Sequence, residues 1–150
     1  MNDAEFKRLI NLKKWFEEKR IYLPNCGENK VYKILSDNNA DIFWLDTDRR
    51  GKIELNKSKL QTRYSMGNVP LVRLEIDAPE HQNPDGSETG RNHIHIYRDG
   101  YGLSWAYDLA DAKFEGFWDD LKDFSSIFPR FCEYCNIEIS ESSEIQGVLI

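Results

Sequence analysis

Three histidines are the whole histidine content of this 150-residue chain, and all of them fall between positions 81 and 95. His93 and His95 stand two apart, in the run Asn92-His93-Ile94-His95-Ile96-Tyr97-Arg98. A side-chain period of two in an extended strand sends both imidazoles, and Tyr97 with them, to one side, while Ile94 and Ile96 face the core. His81 arrives from the far end of the connection before that strand. Two kinds of chemistry suit such a cluster. Imidazole titrates near neutrality, so one ring can take a proton while another gives one. Cleavage of RNA at a 2′-hydroxyl needs that pair together with cations for the developing charge. Arg73, Arg91 and Arg98 are the candidates to bind the phosphate, with no cofactor required. Alternatively His81, His93 and His95 ligate one divalent metal ion, with Glu75 or Asp99 adding a carboxylate. The plain alternative is a set of exposed strand positions that stabilise the loop by hydrogen bonds.

Arg73 and Glu75 belong to this set through the pattern Val72-Arg73-Leu74-Glu75-Ile76-Asp77. Its strict alternation marks a strand with one buried face. Strands are expected at Val31 to Ser36 and Asp41 to Asp46 around Asp37-Asn38-Asn39, at Lys52 to Leu55 and on to Tyr64, and at Val69 to Asp77. Two more are expected at Asn92 to Arg98 and Leu103 to Asp108, on either side of Asp99-Gly100-Tyr101-Gly102. Residues 78 to 91, with the turn sequence Asn83-Pro84-Asp85-Gly86, form the one long loop. A helix over residues 3 to 20 follows from the helical spacing of Phe6, Leu9, Ile10, Leu12, Trp15 and Phe16. A second helical region is expected over about 115 to 135, with Pro129 kinking or splitting it. The tail from Ile137 adds one short strand and frays over 140–150.

The order of helix, strands and helix predicts one α+β domain over residues 1–150. Its antiparallel sheet has five to seven strands, packed on one face by an N-terminal helix and a C-terminal helical region. Hydrophobic residues make up 40% of the chain and aromatics 13%, enough for a single core. No apolar run approaches the roughly 18 residues of a membrane span, and Met1-Asn2-Asp3-Ala4-Glu5 does not read as a signal peptide. A cytoplasmic protein is expected. Three cysteines, with Cys132 and Cys135 as C-x-x-C, read as ordinary buried thiols. The net charge of −6 weighs against a general nucleic-acid binder. Arg49, Arg50, Lys52, Lys57, Lys59, Arg63 and Arg73 nevertheless crowd the first half of the expected sheet. Asp119, Asp120 and Asp123 read as a solvated helix start, and Trp105, Tyr107 and Trp118 as packing residues.

From Asp46 to Leu109 the chain resembles an uncharacterised family of small proteins from bacteria and their prophages, a domain of unknown function. The resemblance is carried by Asp48-Arg49-Arg50-Gly51-Lys52-Ile53, by His81-Gln82-Asn83-Pro84-Asp85-Gly86, and by Asn92 to Gly102 continued by Trp105-Ala106. Where the family pattern has a proline before the H-x-H, this chain has Asn92. The resemblance brings no activity with it, but it implies that the histidine positions belong to a shared pattern. The leading expectation is a small metal-independent nuclease acting on RNA, toxin-like or part of abortive infection. His93 and His95 would be acid and base, His81 a third proton-handling or phosphate-contacting group, and Tyr97 would orient a base or donate a hydrogen bond. The rival expectation is a phage- or prophage-encoded acidic protein whose partner is a host defence complex. The third is a three-histidine metal protein.

Overall fold

A computed structural model describes residues 1–51, 57–139 and 144–146. The chain opens with α1 (Asp3–Asn11), followed by β1 (Lys14–Phe16), β2 (Arg20–Tyr22), β3 (Asn29–Ser36), β4 (Phe43–Asp48), β5 (Ser58–Tyr64) and β6 (Val69–Ile76). The short strands β7 (His81–Gln82) and β8 (Glu88–Thr89) precede β9 (His93–Ile96) and β10 (Ala106–Asp108). Helix α2 (Phe124–Tyr134), β11 (Ile137–Glu138) and β12 (Glu144–Gln146) complete the order. Eight strands form one sheet in the order β10-β9-β6-β5-β4-β3-β1-β11, antiparallel throughout except for the parallel pair β1 and β11. The architecture is α+β, as expected, with a larger sheet than the five to seven strands read from the sequence.

Alternation gives the sheet two chemically different faces. Phe43 and Leu45 of β4, Leu60 of β5, Leu74 and Ile76 of β6 and Ile94 of β9 are all at most 1% exposed. They form one core with Leu9 of α1 and with Phe128 and Phe131 of α2. The opposite face carries charge in register. One cross-strand row runs Asp108, His93, Glu75, Lys59, Asp48, and the next runs Ala106, His95, Arg73, Gln61, Asp46. A register shift at Thr62/Arg63 leaves Leu71 and Val72 consecutively buried and brings Pro70 opposite Arg63. A bulge accommodates a proline that a regular ladder would reject.

The first helix is shorter than its periodicity predicts. It is capped at its start by Asn2, whose Oδ1 accepts from Glu5 N at 2.8 Å, and it stops at Asn11. The fully buried ammonium of Lys14 donates to Ile10 O, Leu12 O and Cys135 O. Asn136 Nδ2 donates to Asn11 O and Leu12 O. These side-chain donors satisfy the terminal carbonyls and free Trp15 and Phe16 to pair with β3. The second helix begins later than expected. Residues 115 to 123 are turns, because Gly116 takes φ +75° and the carboxylates of Asp120 and Asp123 bind the backbone N–H two residues on. From its Asp123 cap α2 runs unbroken through Pro129. The one lost hydrogen bond is outweighed by burial of Phe124, Ile127, Phe128, Phe131 and Cys132.

The expected strand over Lys52 to Leu55 lies outside the described residues, as does most of the expected fraying over 140–150. Within that tail, 144–146 pair in parallel with β2. Cys132 and Cys135 are buried thiols, whereas Cys26 is exposed, contrary to the expectation for it. Burial pushes the Cys135 thiol up to about 12. Among the described residues, no helix is long and apolar enough to cross a membrane.

Candidate metal centre

Two covering segments turn an exposed-face cluster into a built site. The first is the connection expected to be a structureless loop. It contains the β7–β8 hairpin, closed by a turn in which Asn83 N donates to Ser87 O and Gly86 N to Asn83 O. Gly86 supplies the φ of +89° that this turn requires. Asn83 is itself buried, and its amide clasps the backbone of β10: Ala106 N donates to Oδ1 at 2.8 Å and Nδ2 donates to Ala106 O at 3.0 Å. This clasp folds the hairpin onto the sheet and brings His81 over β9. The second segment is the turn from Arg98 to Trp105, pinned by the Arg98–Gly102 bridge. Strand β10 begins only at Ala106, later than the Leu103 expected, because the carbonyls of Leu103 and Ser104 turn toward the imidazoles instead of toward a ladder.

Each histidine spends one nitrogen on a backbone carbonyl. His93 Nδ1 donates to Gly90 O at 2.8 Å, His95 Nδ1 to Leu103 O at 2.7 Å and His81 Nε2 to Ser104 O at 2.7 Å. A carbonyl can only accept, so these contacts fix the tautomers. In the neutral rings the remaining nitrogens, His93 Nε2 and His95 Nε2 among them, carry the lone pairs. Both point at Glu75 Oε2, at 2.9 Å and 3.7 Å respectively. The donor atoms of Glu75, His93 and His95 all lie within 4.8 Å of one another. The His93 side chain is fully buried and His95 is 2% exposed, yet His95 Nε2 has no hydrogen-bond partner.

Electrostatics define the metal-free state. Burial pushes the Glu75 carboxyl up, but His93, His95 and Arg73 together pull it well below the usual carboxylate range. Burial pulls His93 down, and the contacts with Glu75 and Gly90 O outweigh it, so its pKa is raised. Both shifts favour the proton on His93 Nε2, donated to an ionised Glu75. Glu75 Oε1 faces the other way, toward Arg73 Nε at 3.0 Å and Lys59 Nζ at 3.9 Å. A cleft of about 510 Å³ opens over the cluster, lined by Arg73, Glu75, Glu80 and all three histidines.

The remaining sequence candidates divide clearly. His81 stands beside the cluster, its ring 4.6 Å from that of His95 and 5.9 Å from that of His93. The tightest group, however, takes Glu75 in its place. Tyr97 leaves the site because β9 ends at Ile96. Its ring stacks on Phe6 at 5.7 Å and its hydroxyl donates to Met1 O. Arg98 lies 4.2 Å over the Trp105 ring and donates to Tyr107 Oη, and Arg91 donates to Asp77 O at 3.2 Å. Neither arginine lines the cleft, whereas Arg73 does. Asp99 sits in its turn with its N–H bound to Asp3 Oδ1. The carbonyls of Gly90, Leu103 and Ser104 and the Asn83 clasp were not foreseen. Only the Asn-Pro-Asp-Gly turn hinted at the last of these.

The fold and site define an antiparallel-sheet α+β protein with a buried His/Glu cluster on the polar face of its sheet. The chain belongs to a family of unknown function, DUF6978, whose family model matches residues 1–137. No curated protein and no solved structure gives a match.

Proposed function

We propose that this protein binds one divalent transition-metal ion through Glu75, His93 and His95 and uses it to activate water for hydrolysis. The observation that carries the reading is the buried, unpartnered Nε2 of His95, aimed with His93 Nε2 at one carboxylate oxygen. Two imidazoles and a carboxylate are a known three-ligand set for catalytic zinc, and the same donors suit manganese or iron. Histidine ligands commonly donate their second nitrogen to a backbone carbonyl, which fixes ring orientation and raises basicity. All three rings here have such a partner. The three ligands leave a coordination position open to the cleft, where a bound water would lose a proton near neutrality. His81, carried on the hairpin with its ring 4.6 Å from that of His95, is the candidate for a fourth ligand or a hydrogen-bonding group for that water.

Metal-free acid–base cleavage of RNA by the same histidines is the less supported reading. An acid and a base must reach opposite sides of the breaking bond, whereas His93 Nε2 and His95 Nε2 converge on one oxygen atom. Titration of chelator-treated protein with cobalt(II) tests the proposal. The expected result is visible ligand-field absorption that saturates at one ion per chain and disappears in His95→Ala. Metal-dependent hydrolysis across a panel of ester and phosphoester substrates should accompany it. Failure to bind stoichiometrically, or equal binding by His95→Ala, would sink the proposal. RNA cleavage that persists in chelator would return the site to acid–base chemistry.

A further inference from the structure

Next to Glu75, on the side away from the histidines, the polar face holds a second hollow of about 420 Å³. Its lining includes Asp48, Arg50, Lys57, Lys59 and Glu75. The cross-strand row explains the adjacency: Glu75 pairs with His93 on one side and with Lys59 on the other, and Lys59 in turn faces Asp48. Glu75 is thus the wall between the two spaces, with Oε2 toward the imidazoles and Oε1 toward the cations.

Among the described lining residues three cations meet two carboxylates, in a chain whose net charge is −6. Of the two carboxylates among these described residues, Asp48 is held by Arg50 at 2.9 Å and Glu75 by His93 and Arg73. Lys57 has no ion pair among the described residues, and Lys59 reaches Glu75 only at 3.9 Å. Among the described lining residues, Lys57 and Lys59 are therefore the cations without a close matching anion. Ammonium groups act as point charges suited to phosphate oxygens, and a space of this size holds a small ligand rather than a single ion.

We infer that this hollow anchors a phosphoryl group of the substrate, whose scissile bond then reaches the open position over Glu75, His93 and His95. The inference rests on the metal-centre reading and adds the substrate class: a phosphate-bearing compound. The test uses the full chain stripped of metal, so that phosphate cannot bind through the ion. Inorganic phosphate is titrated and followed by phosphorus NMR, with acetate as the carboxylate control. Wild type should bind phosphate at least tenfold more tightly than Lys57→Ala/Lys59→Ala and at least tenfold more tightly than it binds acetate. Lys57→Arg/Lys59→Arg should retain binding. Cobalt titration of the double alanine variant should match wild type, which separates failure here from failure of the metal reading. Equal phosphate affinity in wild type and the alanine variant would overturn the inference. So would equal affinity for acetate, or phosphate binding seen only with metal present.

Discussion

Replacing one member of the His93–Glu75 pair at a time separates shape from charge. His93→Ala removes a fully buried ring and leaves Gly90 O and the Glu75 carboxylate without their donor. Breaking a buried pair from one side costs about 3–5 kcal/mol. Glu75 keeps Arg73 at 3.0 Å and is 14% exposed at its side chain, which places the loss near the lower end, about 3 kcal/mol. Glu75→Gln keeps the shape, and its amide can donate to the lone pair of a neutral His93. About 1 kcal/mol is expected there. The pH dependence of the metal-free protein gives the sharper contrast. His93 is raised above 6.5, so its contribution is complete below that pH and is lost as pH rises through the folded value. Glu75 is lowered from 4.5, so its contribution is present above that pH and is lost as pH falls. Stability of chelator-treated wild type should therefore be greatest between pH 4.5 and 6.5 as far as this pair is concerned. Urea unfolding followed by the fluorescence of the four tryptophans measures it, and Glu75→Gln should flatten the decline above pH 6.5. Wild-type stability in His93→Ala, or an unchanged alkaline decline in Glu75→Gln, would refute this account of the pair.

Other perturbations report on separate parts of the structure. Lys14→Met strips the donor from Ile10 O and Cys135 O. At about 1–3 kcal/mol for each orphaned carbonyl, partly offset by removal of a buried charge, a net loss of about 2 kcal/mol is expected in urea at pH 7. Burial holds the wild-type Lys14 pKa at about 8. The unfolded chain therefore binds more protons between that value and 10.5, and wild type should gain stability over this range while the variant does not. Asn83→Ala releases the hairpin from β10, with an expected cost of about 2 kcal/mol and faster amide exchange at His81 and Thr89 in NMR. Zinc at about one hundred times its dissociation constant should add about 2.7 kcal/mol to the unfolding free energy of wild type, raising Tm by about 5–10 °C in calorimetry. Glu75→Gln should show little of that shift.

What was legible in the sequence was legible through alternation. The run from Val72 to Asp77 and the spacing of His93 and His95 place Arg73, Glu75 and both imidazoles on one face, and the strands carry them there. Regularity beyond the strand ends was the wrong guide. Extending β9 to Arg98 put Tyr97 in the site, whereas β9 ends at Ile96 and Tyr97 packs on Phe6. Extending the helical period of α1 past Asn11 missed donors that lie more than 120 residues away, on Asn136. The tautomers were hidden for a similar reason. They depend on carbonyls of irregular segments, Gly90, Leu103 and Ser104, whose directions no side-chain pattern encodes.

Anomalous diffraction from crystals of zinc-loaded protein, collected on either side of the zinc edge, reads the proposed centre without passing through activity or stability. One strong peak per chain is predicted, about 2.0–2.2 Å from Glu75 Oε2, His93 Nε2 and His95 Nε2. A map with no peak among these three side chains, or with its peak on other residues, would contradict the proposal that this buried His/Glu cluster is a metal site.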